Sequence, residues 1–255
     1  MPQFDRQIGI LLVGHGSRHP QGNAGFIQIA GEVAKLAAPT PVEPCFLEFA
    51  QPSITTGVAA LVSRGARQMI AVPMQLTAGQ HVRFDIPSEV GRAVEKRPQI
   101  RLSFAKHLGE HPDLIRLAET RVDEALTGRP QVESTHLLLA ARGSRDPLVK
   151  GQILRLSAQR GERNDQFTTT ACFLSMASPT LEQGLAMATA KRPSRVVVQP
   201  HLLLPGKLSL SLADKVAAIA ERVPQVEWVS CEPLGPAPCL AQFALDLAWD
   251  AYQTT

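Results

Sequence analysis

Aromatic residues are scarce in this sequence. Nine Phe, two Trp and one Tyr make up 5% of 255 residues. A nucleic-acid surface built on base stacking is therefore not expected. Cysteines are also few. Cys45, Cys172, Cys231 and Cys239 show no CxxC spacing, and nothing suggests a disulfide framework or a metal–thiolate site. No apolar run approaches the ~20 residues that a membrane span needs. Met1 to Arg6 contains no basic segment leading into an apolar one, so no signal peptide is expected and the cytoplasm is the default location. The net charge is only +3, which argues against a polyanionic partner. It leaves room for a local basic pocket that takes an acidic small molecule.

What remains is an ordinary globular composition, 44% hydrophobic and 19% charged, with one unusual property. The chain repeats itself. Gly14-His15-Gly16-Ser17-Arg18 returns as Ala141-Arg142-Gly143-Ser144-Arg145, at an offset of 127 residues. The same offset sets Cys45-Phe46-Leu47 on Cys172-Phe173-Leu174, Pro52 on Pro179, Gly57 on Gly184, Pro73 on Pro200 and Gly79 on Gly206. After a one-residue deletion, Leu108-Gly109 meets Leu234-Gly235. A fixed offset over so many positions implies two homologous domains. The Gly/Pro-containing stretch Thr127–Pro130 suits a linker, which places the domains at 1–128 and 129–255. Cys45 and Cys172, matched in the repeat, read as two buried strand residues.

Each half has one rhythm. In the first half, short apolar runs at 8–13, 42–47, 68–72 and 100–105 predict strands. Helical spacing covers 25–37, 52–63, 86–95 and 112–126, and residues 73–85 read as irregular. Alternating strand and helix predicts an α/β fold, a parallel sheet with helices on both faces in each domain. Ligands of such sheets bind beyond the carboxyl ends of the strands, at a topological switch point.

Three residues of the first half follow strand ends. His15 follows the first strand, Glu48 the second, and His81 lies in the loop after the third. Their counterparts are Arg142, Ser175 and Leu208, none of them a good ligand for a divalent metal. Joint loss implies that the three act as a unit. Two imidazoles and a carboxylate suit a first-row transition metal such as Fe, Co, Ni or Zn. They equally suit proton transfer near neutral pH. Gly14 and Gly16 fit a tight turn, and Ser17 and Arg18 could hold an anion at a helix start. His19 is matched by Asp146 and reads as a surface residue. His107 and His111 lack a His-Glu-x-x-His motif, and His201, matched to Met74, reads as a packed histidine.

Gly-His-Gly-Ser-Arg (14–18), Phe-Leu-Glu-Phe-Ala-Gln-Pro-Ser (46–53) and Ala-Gly-Gln-His-Val-Arg-Phe-Asp-Ile-Pro (78–87) resemble the signature of the sirohydrochlorin chelatases. These class II chelatases insert Co(II) or Fe(II) into a modified tetrapyrrole. The resemblance covers both halves and so points to the long, two-domain form. It implies two flavodoxin-like, chelatase-like lobes facing across a central cleft that holds the macrocycle. It implies that His15 and His81 are metal-binding and catalytic, with Glu48 as the active-site glutamate. One histidine would remove a pyrrole N–H proton, so activity should fall below about pH 6.5, the ordinary imidazole value. The substrate bears eight carboxylates, for which Ser17, Arg18, Arg83, Arg142, Ser144, Arg145 and Lys207 are the candidate contacts. No cofactor is expected beyond the metal ion that is itself a substrate. Neither nucleic acid nor membrane is an expected partner, and the expected state is a monomer with pseudo-two-fold lobes. Cobalt, for cobalamin synthesis, is the expected metal, with iron, for sirohaem, as the alternative. A carrier without turnover and a zinc-type hydrolase are the competing readings.

Overall fold

In a computed structural model, which describes residues 4, 5, 7–164 and 166–254, the chain folds as two four-stranded parallel sheets. The first repeat runs β1 (Ile8–Gly14), α1 (Pro20–Ala37), β2 (Val42–Phe46), α2 (Ile54–Ser63), β3 (Gln68–Pro73), α3 (Ile86–Val94), β4 (Arg101–Phe104) and α4 (Leu114–Leu126). The second runs β5 (Thr135–Ala141), α5 (Pro147–Arg163), β6 (Phe167–Phe173), α6 (Leu181–Thr189), β7 (Arg195–His201), α7 (Lys207–Arg222), β8 (Glu227–Ser230) and α8 (Cys239–Gln253). The sheet orders are β2-β1-β3-β4 and β6-β5-β7-β8. Every predicted strand is present, with small differences at its ends. Two helix starts move for local reasons. Pro20 begins α1, where its fixed φ is already helical. Ser53, rather than Pro52, caps α2 by accepting the Thr56 N–H on its hydroxyl at 3.2 Å.

The central strands have both faces covered. All seven residues of β1, of β5 and of β7 are buried, as parallel strands between helix layers require. In the first unit, Leu11, Val13, Cys45, Met69 and Ala71 form one core with Ile54, Val58 and Leu61 of α2 and Ile86, Val90 and Ala93 of α3. In the second, Leu138, Ala140, Cys172, Val196 and Val198 pack on Leu181 and Leu185 of α6 and Leu212 and Val216 of α7. The alternate residues serve the opposite faces. Leu139, Ala141 and Ala171 meet Ile153 of α5.

The last helix of each repeat does not stay with its own sheet. The compact units are residues up to Leu114 together with Pro236 onwards, and Ile115–Gly235. Val122 of α4 is buried against Leu137, Val197 and Val229 of the second sheet. The α8 helix packs on α1, β3 and β4, and Phe243 stacks on His111 with ring centroids 4.0 Å apart. The sequence repeat thus divides near residue 128, while the packed units exchange their final helices. An amphipathic stripe identifies the face of a helix to be buried but not the sheet that will bury it. With two homologous sheets in one chain, either can serve. Among the described residues, no helix is long and apolar enough to cross a membrane.

His201 ends β7 and is buried. Burial, reinforced by the nearby Arg160 guanidinium, lowers its pKa from 6.5 to about 4. Between those values the unfolded chain holds a proton that the folded chain does not, so stability rises with pH across this window. It should be lost as pH falls from 6.5 towards 4. His107 and His136, also lowered mainly by burial, act in the same direction. His201→Met, the residue type found at the matching Met74, should reduce the difference between urea midpoints measured at about pH 5 and about pH 7.5.

Candidate functional site

The first sheet has its switch point between β1 and β3, because the chain leaves β1 towards β2 and returns on the other side. The loops after β1 and β2 are joined at that edge by backbone hydrogen bonds. The Leu47 N–H donates to the Gly14 carbonyl at 2.9 Å, and the Glu48 N–H to the His15 carbonyl at 3.0 Å. Gly16 makes this approach possible. Its φ is +88°, and a Cβ there would overlap the Glu48 carbonyl. These constraints hold two neighbouring side chains together, with His15 Nδ1 lying 3.2 Å from Glu48 Oε1.

The third member comes from the segment after β3. The irregular region expected at 73–85 ends in a π-helical turn, His81–Asp85, that runs into α3. The Ile86 N–H donates to the His81 carbonyl, five residues back. This wider turn sets Asp85 beside His81, and its Oδ2 lies 2.6 Å from His81 Nδ1. The carboxylate accepts from Nδ1–H, which in the neutral ring places the lone pair on Nε2. The His15 and His81 rings lie 4.8 Å apart, centroid to centroid.

His15, Glu48 and His81 therefore converge as expected. Each offers one ligand atom, and these atoms lie within 4.8 Å of one another. All three residues are half-buried, so an ion could reach them. It is the one such group of His, Cys, Asp and Glu among the described residues. The cysteines offer no competing ligand set. Burial pushes the Cys45 thiol far up, and burial with the nearby Glu182 takes Cys172 up to about 12, so neither forms a thiolate. His107 and His111 are buried separately. The Gly109 N–H donates to His107 Nδ1 at 3.1 Å, and the Asp113 N–H to His111 Nδ1 at 3.2 Å.

The second unit keeps the scaffold without this chemistry. Gly143 has φ +84°, and a Cβ there would overlap the Ser175 carbonyl. The Ser175 N–H donates to the Arg142 carbonyl at 3.0 Å, reproducing the Glu48–His15 bond. Ser175 also turns its hydroxyl back to that carbonyl at 2.9 Å, where Glu48 reaches a histidine ring instead.

The expected anion contacts have mixed placements. Arg18 and Arg83 are exposed in the first unit, and their guanidinium groups lie 5.0 Å from the Phe49 ring and 5.1 Å from the Phe84 ring. Arg142, Arg145 and Lys207 are exposed in the second unit. Ser17 is largely used by its own loop: its N–H donates to Asn23 Oδ1, and its hydroxyl accepts the His19 N–H, both at 2.9 Å. Ser144 Oγ accepts the Asp146 N–H at 3.1 Å in the same manner. Asp85 was not singled out from the sequence, although His81 and Asp85 are four residues apart in His-Val-Arg-Phe-Asp. That spacing was the available signal.

The chain resembles known proteins along both repeats. The chain is 27% identical over 209 residues to the sirohydrochlorin cobaltochelatase of Priestia megaterium, covering 81% of this chain and 68% of that protein. It is 30% identical over 220 residues to the sirohydrochlorin ferrochelatase of Bacillus subtilis (strain 168), covering 85% and 82%. The solved structure described as SirB from Bacillus subtilis with Fe3+ aligns with a TM-score of 0.84 over 97% of both chains, at 25% identity. The CbiX family matches residues 9–125 and again 136–250, once in each repeat. The chain belongs to the CbiX family.

Proposed function

We propose that this protein inserts divalent cobalt into sirohydrochlorin, using His15, Glu48 and His81 to hold the metal and to take up a pyrrole proton. It is a chelatase of the class to which its cobalt- and iron-inserting relatives belong. The observation that supports the use of these three residues is the convergence of their ligand atoms at the switch point, found among the described residues in the first repeat alone. A compact hydrolase or a passive carrier gives no reason for a duplicated scaffold with chemistry in one half.

The reaction exchanges M²⁺ for two pyrrole protons, one taken by His81 and the other passed to water, and involves no oxidation. The metal is held by His15, Glu48 and His81, and leaves His81 as it passes to the pyrrole nitrogens. With Nδ1 committed to Asp85, His81 offers Nε2 to a pyrrole N–H as general base. The Asp85 carboxylate then stabilises the imidazolium that forms. Arg18 and Arg83 offer guanidinium groups to the carboxylates of the substrate. Arg142, Ser144, Arg145 and Lys207 are the proposed contacts contributed by the second repeat. Cobalt is preferred because a relative aligned over 81% of this chain is a cobaltochelatase, and imidazole and carboxylate ligands suit Co²⁺. Iron is the second reading, supported by a ferrochelatase relative and by the iron-containing structural neighbour.

Anaerobic incubation with sirohydrochlorin and Co²⁺ or Fe²⁺, followed by absorbance, tests the proposal. Faster metallation with cobalt is expected, and no acceleration by either metal would end the chelatase reading. His15→Ala and His81→Ala should each lower kcat at least about 100-fold. Asp85→Ala should weaken Co²⁺ binding by about tenfold or more, read from the cobalt d–d bands. Gly16→Ala should reduce activity and melting temperature together, because the added methyl separates the two loops. Arg142→Ala should mainly raise the KM for sirohydrochlorin.

A further inference from the structure

Phe49 is an unexpected choice for its position. It follows Glu48 directly and has φ +63°, in the left-handed region that suits Gly, Asn or Asp and disfavours large side chains. The Ala50 N–H donates to the Glu48 carbonyl at 2.9 Å, which closes a three-residue turn around Phe49. A turn of this kind with positive φ at its centre is rare and strained. The ring gains little from the core, since Phe49 is 53% exposed. Backbone and solvent thus both favour a small polar residue here.

The same choice recurs in the second repeat. Met176, at the matching position, has φ +58° and is also 53% exposed. The residue before it did change, from Glu48 to Ser175. A large apolar side chain persisted where its neighbour did not. In a chain with only nine phenylalanines, an aromatic ring kept in solvent on a strained turn calls for an external partner.

The surroundings of Phe49 indicate the partner's chemistry. Its ring centroid lies 6.0 Å from that of His15, so it borders the three-residue cluster. The Arg18 guanidinium lies 5.0 Å from the same ring. An apolar surface beside the metal-binding groups, with a cation next to it, fits a flat conjugated ligand carrying acidic groups at its rim. We infer that Phe49 is a substrate-binding residue that seats the flat face of the tetrapyrrole macrocycle beside His15, with Arg18 at the adjoining carboxylate. This rests on the chelatase reading above and adds to it a contact that sets the position of the ring over the metal.

Phe49→Asn tests the inference. Asn tolerates positive φ, so the fold should be unharmed and the melting temperature unchanged or higher. The KM for sirohydrochlorin, and its Kd measured by fluorescence quenching without metal, should rise about tenfold. Co²⁺ binding should stay as in the parent protein, and Phe49→Leu should retain most of the affinity. Unchanged KM and Kd in Phe49→Asn would overturn the inference. So would a fall in melting temperature that Phe49→Leu reverses while sirohydrochlorin binding stays constant, because the ring would then be a packing element. If the parent protein metallates sirohydrochlorin while Phe49→Asn behaves like it, only this inference fails. If the parent protein accelerates neither metal, the chelatase reading itself fails.

Discussion

The close approach of two loops at the edge of each sheet is the constraint on which the site depends. In the first unit, Gly16 lies so near the Glu48 carbonyl that no Cβ fits between them. Hydrogen bonds from the backbone N–H groups of Leu47 and Glu48 close the contact. Residues that follow two different strands thereby become neighbours, and the His15–Glu48 pair is the result. Because backbone atoms make the contact, the side chains of the two loops are left to vary. The second unit demonstrates this. Gly143 and Ser175 repeat the contact almost atom for atom, while the imidazole and carboxylate have become a guanidinium and a hydroxyl. Duplication preserved a positioning device and released the chemistry it positions.

The third group is supplied by different means. His81 stands at the start of a π-helical turn, a feature often found at functional sites. A regular α-helical turn would also set residues four apart on one face, but here the wider turn continues into α3 and anchors the segment through the buried Ile86. The histidine is thus tied to the core of its unit on one side and to Asp85 on the other. A carboxylate behind an imidazole orients the ring. The pairs His15–Glu48 and His81–Asp85 give the two histidines of one small site different surroundings, which suits a division between holding a metal and accepting a proton.

Much of this was readable from the chain alone, because the repeat supplied an internal control. A histidine after a strand is ordinarily unremarkable evidence. His15, Glu48 and His81 became informative when Arg142, Ser175 and Leu208 proved to hold the matching positions. Asp85 and Phe49 lie within the His-Val-Arg-Phe-Asp and Phe-Leu-Glu-Phe stretches, yet their placement depends on backbone states that side-chain periodicity does not report. A π-helical turn and a positive φ at a bulky residue break the local rules from which periodic patterns are read. The helix exchange was hidden for another reason. The apolar stripes of α4 and α8 specify burial but not which of the two homologous sheets provides it.

Sequence by itself determined the strand–helix rhythm of each repeat, the placement of reactive residues after strand ends, and which repeat carries them. Those properties follow from local periodicity and residue chemistry, which any copy of the chain displays. Tertiary structure decided which helix covers which sheet, how closely His15, Glu48 and His81 meet, and which nitrogen of His81 faces Asp85. It also decided that Phe49 remains in solvent beside them. These are relations between residues far apart in the chain or in unusual backbone states, and only the packed fold brings them into being.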